Sequence, residues 1–245
     1  MLEKHQKVAL ITGSARRVGA CIADIFHQNG YRVIIHCRHS RDEAKVLVDL
    51  FNQRRSNSAE LVCADLDDEN SYDKLIRNSY AIWKQLDVLI NNASSFTPTP
   101  IGKITLHDWN HLFNSNLKAP LFLSQAAAPY LKITRGNIIN ITDIHADFPM
   151  ENYTVYSCAK AGLKMLTQSL ALELAPDIRV NAVAPGNVIW PEGVNEKSDA
   201  EKKELIEATL LKKQVSPNDI AEAALFLAGQ SSITAQTIAV DGGRI

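Results

Sequence analysis

The sequence predicts an α/β fold: a doubly wound parallel sheet of about seven strands, with helices on both faces, in one domain spanning residues 1–245. Three observations carry this. Short apolar, β-branched runs alternate with helical periods almost throughout, and such runs without polar alternation are strands buried on both faces. No Pro/Gly/Ser-rich linker or internal repeat divides the chain. Right-handed crossovers then leave a doubly wound sheet as the natural arrangement.

Residues 7–12 (KVALIT) read as the first strand and 18–29 as a helix closed by Gly30. Strand two is 32–36, followed by a helix over 42–51. Strand three is 60–63, then a polar turn and a helix through Trp83. Strand four is 87–90. Residues 106–130 hold two helical stretches, with Pro120 suited to the first turn of an irregular join. Strand five is 137–141, and 155–174 is a long amphipathic helix stopped before Pro176. Strand six is 178–183, Pro217 opens a helix through Leu227, and 237–240 is the last strand. Residues 187–214 break the alternation with Pro, Gly and Trp and then a charged helical pattern, so 188–213, including Trp190 to Gly193, is expected to form a lid over the site.

Composition narrows the function. Hydrophobic residues make up 46% and charged residues 22%, ordinary for a globular chain, and the formal net charge is -1. That balance offers no field for nucleic acid or an anionic membrane. No segment approaches a membrane span and the N-terminus lacks a signal-peptide core, so a cytoplasmic, soluble protein is expected. The four cysteines, Cys21, Cys37, Cys63 and Cys158, lack metal spacing and fall in apolar patterns, where small hydrophobes are expected. His107 and His111 share a helix face, but no third ligand accompanies them, and no metal is expected.

The turn after strand one reads Thr12-Gly13-Ser14-Ala15-Arg16-Arg17-Val18-Gly19. A glycine-bearing strand-to-helix turn brings backbone N–H groups and a helix N-terminus to a pyrophosphate. Gly13 suits the tight turn and Gly19 close helix packing; Arg17 stands where a middle glycine is usual. Strand two ends in Arg38-His39-Ser40 and carries no acid for a ribose 2′-hydroxyl, so these residues with Arg17 point to a 2′-phosphate and hence NADPH. Asp65 and Leu66 follow strand three, where the Asp65 carboxylate suits either an adenine amine or a helix cap. Asn92, Ala93 and Ser94 follow strand four and are expected to pass beneath the adenosine and ribose.

Tyr156 and Lys160 lie one helical turn apart at the C-terminal edge of the sheet, where ligands bind in such folds. An ammonium beside a phenol is expected to favour its ionisation and make it a better acid near neutral pH. Asp143 lies thirteen residues upstream of the tyrosine.

These motifs, with Asn116, Pro185-Gly186 and the terminal Asp241-Gly242-Gly243, resemble the short-chain dehydrogenase/reductase family, a Rossmann-type fold, over nearly the full chain. The resemblance implies an Asn116, Tyr156, Lys160 catalytic set in which Asp143 takes the usual serine position, with Asn116 holding a water in a proton relay. It also implies Tyr156, Lys160, Pro185 and Gly186 at the cofactor and a homotetramer with the 155–174 helix at one interface. Arg17, Asp143, Phe96 and Tyr153 are similar to the bacterial pteridine reductase branch, dihydromonapterin reductases included. This implies NADPH-dependent reduction of a pterin or folate, with Phe96 against the ring and Arg17, Ser94, Asp143 and Tyr156 around it. Two alternatives stay open: a carbonyl reductase of the 3-oxoacyl carrier-protein type, and a non-catalytic NADP-binding sensor.

Overall fold

A computed structural model of the chain describes residues 6–188 and 198–244. Seven parallel strands form one sheet, β1 (Val8–Ile11), β2 (Arg32–Cys37), β3 (Ala59–Cys63), β4 (Val88–Asn91), β5 (Asn137–Ile141), β6 (Arg179–Pro185) and β7 (Thr237–Val240). Their spatial order is β3-β2-β1-β4-β5-β6-β7, so the order reverses between β1 and β4. A crevice opens at such a reversal, outside the carboxyl ends of the strands.

Strand β1 shows why the sheet is doubly covered. Ala9 and Ile11 pack into one core with Phe26, Phe51 and Ile220, while Val8 and Leu10 pack into the other with Leu75, Ile76 and Leu123. Successive side chains point to opposite faces, so an all-apolar run feeds both cores. Helices α1 (Arg17–Gln28), α2 (Arg41–Arg54) and α8 (Pro217–Gly229) cover the first face. Helices α3 (Ser71–Trp83), α5 (Ala119–Thr134) and α6 (Thr154–Leu174) cover the second.

Local chemistry sets several helix starts. Thr105 opens α4 (Leu106–Phe113), Ser198 opens α7 (Asp199–Glu207) and Ser216 opens α8, each by a reciprocal capping box with an acid three residues on. Pro120 lies in the first turn of α5, directly after a π-helical segment, Asn114–Lys118. Helix α5 then continues past Pro129 to Thr134, beyond the expected end at Tyr130. Helix α7 buries no side chain, in keeping with its polar sequence. Of the expected lid, Trp190 to Gly193 lie outside the described residues.

Other boundaries move by one to three residues, as helix and strand ends do. The cysteines depart further from expectation. Cys37 is buried, but Cys63 and Cys158 are exposed, because the last residue of β3 and one face of α6 meet solvent. No described helix is long and apolar enough to cross a membrane.

Two buried histidines make stability depend on acidity. His27 stacks on Phe51 at 4.6 Å and shares a 2.7 Å hydrogen bond with Ser58 Oγ. Burial, then the Arg55 and Arg54 cations, lower it to about 4. Burial also lowers His36 to about 4. Both rings bind fewer protons folded than unfolded, so their contribution is complete above pH ~6.5 and is lost as pH falls towards ~4. The melting temperature is expected to drop by about 5–10 °C between pH 7 and 5. A flat profile in thermal melts over that window would show the rings charged in the folded protein.

Candidate active site

A cavity of about 620 Å³ runs along the carboxyl ends of the strands. It stretches from Arg38 and Asp65 past Gly13 and Gly19 to Asp143, Tyr156 and Lys160. All the sequence-derived candidates line it except Asn116, which lies fully buried behind the wall.

The turn after β1 is built by close approach. Gly13 has φ +62°, and a Cβ there would stand 2.9 Å from Ala93 Cα. At Gly19 a Cβ would stand 2.4 Å from Gly13 O and 2.6 Å from Asn92 Nδ2. Arg17 has φ +56°, so the left-handed conformation usual for glycine is kept at this position by a bulky residue. The resulting open turn at the start of α1 fits a dinucleotide pyrophosphate.

Asn92 belongs to the turn's support. Its Nδ2 donates to the Thr12 and Gly13 carbonyls at 2.8 and 3.1 Å, while Thr12 Oγ1 accepts the Asn92 and Ala93 amides at 2.9 and 3.0 Å. Asn92, Ala93 and Ser94 all border the cavity, with the Asn92 side-chain amide turned to the loop backbone.

At the far end, Arg38 meets two carboxylates. Its Nε lies 3.1 Å from Asp65 Oδ2, and its Nη1 donates to Asp67 Oδ2 at 2.8 Å. These half-exposed pairs add little stability, but they orient the guanidinium at the wall of the cavity. The cap alternative for Asp65 fails: α3 begins at Ser71, and Asp65 Oδ1 accepts the Asp67 amide at 2.9 Å. His39, Ser40 and Leu66 complete this end.

At the other end, Tyr156 and Lys160 project from the first turns of α6 and are both buried. The Tyr156 hydroxyl donates to Asp143 Oδ2 at 2.6 Å. Asp143 Oδ1 accepts the His145 amide at 2.9 Å, so one carboxylate both caps the short turn after β5 and holds the phenol. Lys160 Nζ donates to the Ile141 carbonyl at 2.9 Å.

The electrostatics reverse one expectation. Burial first, then the charge and hydrogen bond of Asp143, push the Tyr156 phenol well above 10, with Ser94 acting the other way. Burial lowers Lys160 to about 8, although the Asp143 charge opposes it. The carboxylate is bonded directly to the hydroxyl, whereas the Lys160 Nζ sits 5.7 Å from the phenol ring centroid. Tyr156 is thus a phenol held fully protonated near neutral pH.

Asn116 lies in the π-helical segment, a distortion frequent at functional sites. Its Oδ1 accepts from Ser94 Oγ at 2.6 Å and its Nδ2 donates to the Ser95 and Leu112 carbonyls, both at 2.9 Å. Phe96 lines the cavity but also packs, stacked on Tyr153 at 4.5 Å and edge-on to Tyr156 at 4.9 Å. It is anchored by its neighbours, which a free loop ring would not be. Pro185 and Gly186 close the floor, where a Cβ on Gly186 would meet Asp241 at 2.8 Å.

Sequence reasoning passed over His36, Asp67, His145 and Met150. His36 left a signal, a polar ring inside the apolar run RVIIHC; the others left none that separates them from ordinary loop residues.

The family described as enoyl-(acyl carrier protein) reductase matches residues 13–244. Pteridine reductase 1 of Leishmania tarentolae is 34% identical, covering 96% of this chain and 95% of its own. Glucose 1-dehydrogenase 2 of Bacillus subtilis (strain 168) is 29% identical over 97% of this chain and 94% of its own. Among solved structures, a blue fluorescent protein from a metagenomic library, in complex with NADPH, superposes with a TM-score of 0.89 at 30% identity, covering 97% of both chains.

Proposed function

The chain belongs to the short-chain dehydrogenase/reductase family of oxidoreductases, and from that premise we propose that it reduces a pterin or dihydropterin with NADPH. The observation that carries this reading is the Asp143 carboxylate on the Tyr156 hydroxyl, in a cavity also walled by Phe96. A pterin is flat and edged with N–H and amino donors, which suit an aromatic face and a carboxylate. A serine-type hydroxyl at position 143 would suit a carbonyl oxygen instead. The likeness to a pteridine reductase supports the same substrate class.

NADPH, when bound, supplies the hydride delivered to the carbon of a ring C=N bond. The turn carrying Gly13, Arg17, Val18 and Gly19 would hold the pyrophosphate, and Arg38, His39 and Ser40 the 2′-phosphate, with Asp65 and Leu66 at the adenine and Asn92, Ala93, Ser94, Pro185 and Gly186 along the ribose and nicotinamide. Tyr156 gives its proton to the ring nitrogen, and Asp143 passes a replacement from solvent to the phenolate. Lys160, kept cationic below pH ~8, offsets the negative charge that develops on Tyr156. Asn116 acts through Ser94, which it holds at the cavity wall. Arg17 borders both the cofactor and substrate regions. The assembly is a homotetramer.

The test is an NADPH-oxidation assay against pterins, dihydropterins, dihydrofolate and a β-ketoacyl thioester, with glucose and NADP⁺ as the reverse arm. A pterin or dihydropterin is expected to exceed the thioester and glucose in kcat/KM by about 100-fold or more, a discrimination of ~3 kcal/mol. Preference for either of the latter overturns the substrate, and equal use of NADH overturns the 2′-phosphate assignment to Arg38.

A further inference from the structure

We propose that His36 is a positioning residue for the dinucleotide turn, its imidazole clasping Gly13 on one side and Ala64 on the other. The inference rests on the turn from Gly13 to Gly19 being the one that holds NADPH. His36 is the fifth residue of the run RVIIHC, 2% exposed, and its ring borders the cavity from below. The Gly13 amide donates to His36 Nδ1 at 3.0 Å, and Nε2 lies 3.2 Å from the Ala64 carbonyl. An N–H aimed at Nδ1 requires that nitrogen to be bare, so the ring proton sits on Nε2 and donates to Ala64. The backbone repeats the link. The Ser14 amide donates to the His36 carbonyl at 2.9 Å, and the His36 amide donates to Ser14 Oγ at 3.1 Å.

Two consequences follow from this geometry. The Gly13 amide is consumed by the ring, so the ring fixes the turn that presents the remaining amides. Ala64 directly precedes Asp65 and Leu66, which line the opposite wall at the adenosine end. One ring therefore sets the spacing between the phosphate turn and the loop after β3. Burial keeps the ring neutral, against the Ala64 carbonyl and the Asp65 charge, which favour its cation. A neutral ring with both nitrogens satisfied by backbone is a rigid spacer; a ring without them leaves a buried amide and carbonyl unpaired.

His36→Phe keeps the ring volume and removes both bonds, whereas His36→Asn retains one acceptor and one donor. NADPH affinity is read by fluorescence titration, apo stability by thermal melting, and kcat at saturating NADPH. His36→Phe is expected to raise the NADPH Kd at least tenfold while kcat at saturation stays within threefold, and His36→Asn to recover most of the affinity. A lowered apo melting temperature with Kd within twofold of wild type assigns His36 to stability alone and overturns the proposal. Wild-type protein that does not bind NADPH overturns the reading of the turn itself. Nitrogen NMR of the wild-type imidazole needs no variant to fold. The Nε2–H tautomer is expected with and without NADPH, and the Nδ1–H tautomer overturns the clasp.

Discussion

Tyr156→Phe is expected to lower kcat for the preferred pterin by about 10²–10⁴, the usual contribution of a positioned general acid. The substitution removes one hydroxyl and keeps the ring packed edge-on against Phe96, so NADPH affinity is expected to stay within threefold. Loss confined to kcat marks an interaction made in the transition state. Single-turnover NADPH oxidation checks it, and a wild-type rate removes Tyr156 from the chemistry. The pH profile carries the same argument further. Activity needs a protonated phenol and a cationic Lys160, so it is expected to fall as pH rises through ~8. In an Asp143→Asn protein both groups lose a carboxylate that raises them. The alkaline limb is then expected to move to lower pH; an unmoved limb would show that neither group feels Asp143.

Gly19→Ala is expected to abolish tight NADPH binding. Its added Cβ meets Gly13 O at 2.4 Å, Asn92 Nδ2 at 2.6 Å and Ser14 Cα at 2.8 Å. Two of these atoms are backbone, and the third is a side chain already bonded to the Thr12 and Gly13 carbonyls. No flexible end can yield, so the turn or α1 must shift. Overpacking of this kind costs roughly 1–3 kcal/mol, and the upper half of that range corresponds to a thirty-fold or greater rise in Kd. Titration with NADPH reads the affinity, and a melt of the apo protein reads how much of the cost falls on the fold. An alanine variant with wild-type Kd would place the pyrophosphate elsewhere.

Most elements were legible because their physics is local. The buried parallel strands had to be apolar on both faces, and the Ser216-Pro217 start of α8 follows from capping chemistry within one turn. Asp143, Tyr156 and Lys160 were legible as a set because two lie a helical turn apart and the third stands just past the end of the preceding strand. The exposure of Cys63 and Cys158 was not, since it depends on what packs against β3 and α6. Nor was the packing of Phe96 on Tyr153, a contact between a loop and a helix start far apart in the chain.

The sequence by itself determined the doubly wound sheet, the glycine turn and the residues offered to the chemistry, because strand burial, helix periodicity and capping act over a few neighbours. Only the tertiary structure decided how those residues behave. It bound the Tyr156 hydroxyl to Asp143 and raised the phenol, where the Tyr–Lys spacing alone pointed the other way. It also gave Arg38 to Asp65 and Asp67, and joined Gly13 to Ala64 through His36. Charge and hydrogen bonding depend on distance in space and on burial, and both are fixed only when strands distant in sequence end at the same edge of the sheet.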